Sequence, residues 1–72
     1  MRLKKWEQFK TEGTLLTIIC PKKEALLGKV KSICSAGVDL TVFDNPEDAK
    51  ADKGTFKFMA FDWIKSAKPY AG

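Results

Sequence analysis

The sequence predicts a mainly β domain in which a short N-terminal α-helix precedes a five-stranded, strongly bent antiparallel small barrel. Three observations carry this. Leu3, Trp6 and Phe9 recur three apart, on one stripe of a helix, with Arg2, Lys4, Lys5 and Glu7 on the rest of it. The apolar residues that follow fall into four short runs rich in β-branched and aromatic types, separated by Pro, Gly, Asn and Asp, with room for a fifth short strand before Pro69. Gly28 stands inside the second run, where a curved strand uses a residue without a side chain.

Taken in order, the helix is expected over residues 2–10 and is too short to be stable alone, so Trp6 and Phe9 must lie on the body of the domain or on a neighbour. The first strand, residues 14–20, stops at Pro21, which cannot donate to a sheet ladder. Residues 21–24 form a charged turn and residues 26–34 the second strand. Along that strand Leu26, Val30 and Cys34 share one parity and Leu27 and Ile33 the other, and a bend at or near Gly28 reconciles them. After the turn Ser35-Ala36-Gly37, residues 38–43 alternate with Val38, Leu40 and Val42 inward. Residues 44–54 read as a long acidic loop opened by Asn45-Pro46 and closed by Gly54. The fourth strand, residues 55–61, carries Phe56, Phe58 and Ala60 on one face and Thr55, Lys57, Met59 and Phe61 on the other, which points to a helix or a second subunit against Met59 and Phe61. Asp62-Trp63-Ile64 is a tight turn, and residues 65–68 make a short fifth strand before Pro69.

Seventy-two residues make one domain, and a chain of this size buries only about 60% of its unfolded surface, so association with a partner would add stability. No apolar run approaches the roughly 18 residues of a membrane span, and the first residues lack a leader's apolar centre, which places the expected compartment in the cytoplasm. Cys20 and Cys34 are read as small core thiols, with a disulfide as the alternative. The chain has no histidine, no nucleophile beside a base and no glycine-rich phosphate loop, so neither catalysis, a metal, a cofactor nor a small-molecule substrate is expected.

The net charge of +4 is uneven, with eight basic and three acidic residues over 1–34. Residues 35–54 reverse this with five acids against Lys50 and Lys53. Such asymmetry suits either a polyanion or head-to-tail pairing of identical chains.

A helix, then five short strands with a long third connection and a tight fourth one, resembles the Sm-like fold shared by Sm, Lsm and Hfq proteins. Gly28, Val30 and Ile33 fall at the spacing of that family's first motif. Cys34 stands at its usual Asp, and Asp39 near its usual Asn after one extra residue. The resemblance implies rings closed by the fourth strand of one subunit on the fifth of the next, and RNA contacts from two turns. In the second of those turns the family carries Arg-Gly or Lys-His, where this chain has Phe61-Asp62.

Two functions follow as expectations. In the first, the protein is a self-associating assembly module whose interface comprises Phe56, Phe58, Met59, Phe61, Trp63 and Ile64. In the second, it binds RNA or single-stranded DNA, with Arg2, Lys4, Lys5, Lys22, Lys23, Lys29 and Lys31 neutralising phosphates and Trp6 or Phe43 as stacking platforms.

Overall fold

The computed structural model describes residues 3–22 and 24–71. Arg2 and Lys23, both expected at phosphates, lie outside the described residues. Helix α1 (Leu3–Glu12) is followed by β1 (Leu16–Ile19), β2 (Ala25–Ile33), β3 (Gly37–Phe43), helix α2 (Pro46–Lys50) and β4 (Thr55–Ala60). A 3-10 turn over Phe61–Trp63 then leads into β5 (Ser66–Pro69).

The five strands form one open antiparallel sheet in the order β4-β3-β2-β1-β5. A closed barrel is therefore not formed: β5 pairs with β1, and β4 and β5 end the sheet as its two edges. The sheet nevertheless curls. The six Cα steps from Ala60 to Ser66 reach about 21 Å when fully extended, and part of that path is a compact 3-10 turn. Four inter-strand gaps across a flat sheet already take about 19 Å. Only a bent sheet lets so short a link join its opposite edges. What covers the inner face is α1, whose Trp6 and Phe9 join Leu16, Ile18, Val30, Val38, Leu40, Met59 and Ala67 in one buried cluster.

The mixed parity of β2 is resolved by a shift in register between Val30 and Ser32 rather than at Gly28. Val30 opposes Leu40 on the core side, Ser32 opposes Asp39 on the outer side, and Lys31 is the extra residue. Gly28 is instead a packing glycine, because a Cβ there would lie 3.1 Å from the Thr41 carbonyl oxygen. Cys34, expected in the core, is exposed just beyond β2, whereas Cys20 is buried; both thiols are free.

Within the expected loop 44–54 the structure has a helix, α2. Asn45 Oδ1 accepts a hydrogen bond from the Asp48 N–H at 2.9 Å, Pro46 opens the first turn, and Glu47 and Asp48 sit where the helix dipole favours acids. Read as a turn, Asn45-Pro46 is equally an N-cap followed by a first-turn proline. The helix packs on β3, and its Ala49 and the outward Phe43 are buried apart from the main core. Phe43 is thus no stacking platform, and neither is Trp6, which is 1% exposed.

Two substitutions separate core packing from close strand approach. Trp6→Ala is expected to lower unfolding free energy by about 3–5 kcal/mol in urea titrations. Gly37→Ala, whose Cβ would strike the Met59 carbonyl oxygen and lie 2.7 Å from Ala60 Cα, is expected to cost about 1–3 kcal/mol.

Candidate assembly edges and lysine groove

The candidate site is built from the two sheet edges. In an antiparallel ladder, opposite residues alternate between pairs that exchange hydrogen bonds and pairs that do not. Phe61 N–H donates to the Ala36 carbonyl at 3.1 Å, continuing the β3–β4 register in which Val38 opposes Met59 and Leu40 opposes Lys57. Counting back by twos, Met59, Lys57 and Thr55 bond to β3. The backbone groups of Phe56, Phe58 and Ala60 therefore face outward along the free edge of β4. At the other edge Tyr70 N–H donates to the Leu15 carbonyl at 2.8 Å. By the same count Lys68 and Ser66 bond to β1, and Ala67 and Pro69 face outward. Pro69, which has no N–H to give, accordingly opposes Leu16 in a pair that needs none.

On β4 the side chains divide as the pleat requires. Met59 points into the core at 6% exposure, whereas Phe56 and Phe58 stand on the outer face at 74% and 49%. Trp63, on the 3-10 turn, is 55% exposed. Of the six residues expected at an interface, Phe56, Phe58 and Trp63 are thus available to a partner. Met59 is not, because it is buried in the core, while Phe61 and Ile64 are half-buried against it: Phe61 lies 6.3 Å from Trp6, ring to ring, and Ile64 packs against the buried cluster.

Among the described residues the expected lysines do not form one patch. Lys31 is tied to the outer face, its Nζ 3.6 Å above the Phe56 ring, beside the 2.7 Å hydrogen bond from Ser32 Oγ to Asp39 Oδ2. Lys22 lines a cleft of about 340 Å³ with Cys20, Glu24, Lys57, Phe58, Met59, Ala60 and Trp63. Lys29 lies in a separate hollow beside α2 and Tyr70. Lys4 and Lys5 instead meet Lys65 and Lys68 across a groove of about 620 Å³ between α1 and β5, with Gln8, Ser66 and Ala67 completing its walls. Sequence reasoning missed Lys65 and Lys68, which sit some 60 residues along the chain from the helix they face. Only the pairing of β5 with β1 brings them there.

Among the described residues no three His, Cys, Asp or Glu side chains converge as metal ligands. No described helix is long and apolar enough to cross a membrane. No family, no curated protein and no solved structure matches the chain.

The inward and outward residues of β4 should respond differently to truncation. Met59→Ala is expected to cost about 2–5 kcal/mol. Phe56→Ala, which loses an exposed ring and its contact with Lys31, is expected to cost at most about 1 kcal/mol by chemical denaturation.

Proposed function

We propose that the protein is a non-enzymatic assembly module that associates with copies of itself, β4 of one copy adding antiparallel to β5 of the next in a ring of the Sm-like type. The observation that carries this reading is the pair of strand edges ending a single open sheet. An unpaired row of N–H and C=O groups favours another strand. Exposed Phe56, Phe58 and Trp63 on the β4 side supply apolar area that a lone chain leaves in water. A domain this small also gains stability from a partner.

Sedimentation over a range of concentrations is expected to give a mass several times the 8.1 kDa of one chain. A monomer at every concentration overturns the reading. Ala60→Pro gives a sharper test. Ala60 already has φ −64, which proline adopts without strain, and its N–H points away from β3. The variant is expected to keep the fold by circular dichroism and to associate more weakly.

The α1–β5 groove supports a second reading, in which RNA or single-stranded DNA lies along Lys4, Lys5, Lys65 and Lys68. Fluorescence anisotropy with mixed-sequence oligonucleotides should then show binding that falls as salt rises. Lys65→Ala with Lys68→Ala should flatten the slope of log K against log salt by about 0.7 for each lost phosphate contact. No binding at low salt removes this second reading.

A further inference from the structure

We infer that Phe58 of one copy seats in the groove between α1 and β5 of the next, so that the lysine groove is a socket for an aromatic side chain of a second copy of this chain. The inference rests on the edge-to-edge association proposed above and adds to it a side-chain lock that backbone pairing alone does not require.

Strand parity decides which faces of two joined copies meet. The outward backbone groups of β4 belong to Phe56, Phe58 and Ala60, and the side chains of Phe56 and Phe58 stand on the outer face. The outward groups of β5 belong to Ala67 and Pro69, and the Ala67 side chain is on the core face at 9% exposure. Residues directly opposite in an antiparallel pair project to the same side of the sheet. Joining the two edges therefore turns the outer face of one copy toward the core side of the next. A slip by one residue would set outward groups against groups already bonded to β3 or β1, so allowed registers differ by two and all keep this relation. Ala67 is the outward residue of β5 that offers both N–H and C=O, because Pro69 lacks the donor. Phe58 is central among the three outward residues of β4. Pairing these centres places the Phe58 ring beside Ala67 of the second copy.

What lies there fits a ring. The groove of about 620 Å³ lies between β5 and α1, the helix whose Trp6 and Phe9 cover the core side of the sheet, with Ala67 in its lining and Lys4, Lys5, Gln8, Lys65 and Lys68 around it. Lysine stems offer apolar methylenes to an aromatic edge, and their ammonium groups favour its face. The chain already uses this contact once, in Lys31 over Phe56. The fit also accounts for Phe58, half exposed on a strand edge and with no ring-to-ring pairing among the described residues.

Sedimentation equilibrium on the full chain tests this with variants on each side of the contact. Phe58→Ala is expected to raise the dissociation constant about 10- to 100-fold. Gln8→Trp, which fills the groove from the α1 side and leaves the backbone groups of both strand edges unaltered, is expected to weaken association in the same way. Combining Phe58→Ala with Lys5→Ala should lose at least about 2-fold less than the product of the single losses, because both remove one contact. If wild-type protein is monomeric throughout, edge association fails and the socket with it. If wild type associates and Ala60→Pro weakens it, yet Phe58→Ala and Gln8→Trp leave the constant unchanged, the socket is overturned and edge pairing stands. If Gln8→Trp reduces oligonucleotide retention while leaving the mass unchanged, the groove serves a nucleic acid and the socket is again overturned. Thermal melts by circular dichroism confirm folding, and should Phe58→Ala fail to fold, Gln8→Trp carries the test.

Discussion

The structure depends on Trp6 being sealed between the helix that carries it and the sheet. Its ring stands edge-on to Phe9 at 6.1 Å and tilted against Phe61 at 6.3 Å, so one side chain joins α1 to the link between β4 and β5. A ten-residue helix is marginal in water, and burial of Trp6 and Phe9 is what keeps it in place. The indole N–H has no hydrogen-bond partner among the described residues. An unpaired buried donor costs about 1–3 kcal/mol, and the area of a fully buried aromatic ring offsets it.

Because a helix covers the inner face, the sheet does not have to close on itself. Barrel closure would have paired β4 with β5 and removed both edges. Here β5 is carried past the helix to the free side of β1, and the two edges stay open at opposite ends of the same sheet. Pro69 blunts one end of β5, which leaves Ala67 as its full donor and acceptor. Openness, outward aromatics and the lysine groove thus share one origin. Each follows from the way α1, rather than a strand, completes the core.

Much of the fold was legible in the residues. The helix, all five strands and their order along the chain follow from apolar spacing and from Pro, Gly and Asn punctuation, with boundaries shifted by one or two residues. Helix α2 was written in Asn45-Pro46-Glu47-Asp48 but masked, since the same residues open turns. The bulge at Lys31 was visible only as a broken alternation, which says that a strand bends without saying where. Both faces of β4 being apolar set Met59 and Phe61 apart from Phe56 and Phe58, yet the sequence left open whether the helix or a second subunit covers Met59 and Phe61, and the structure packs them with Trp6 of α1.

The sequence by itself determined the class of the protein, a small β domain with a leading helix and a basic first half. Periodicity and charge are local properties that a linear reading recovers. Tertiary structure alone decided that the sheet stays open, that Lys4 and Lys5 face Lys65 and Lys68, and that the free groups of β4 lie under outward aromatics. Those facts depend on which strands pair and in what register. Hydrogen-bond alternation gives register its consequence, because a shift by a single residue exchanges the buried face of a strand for its exposed one.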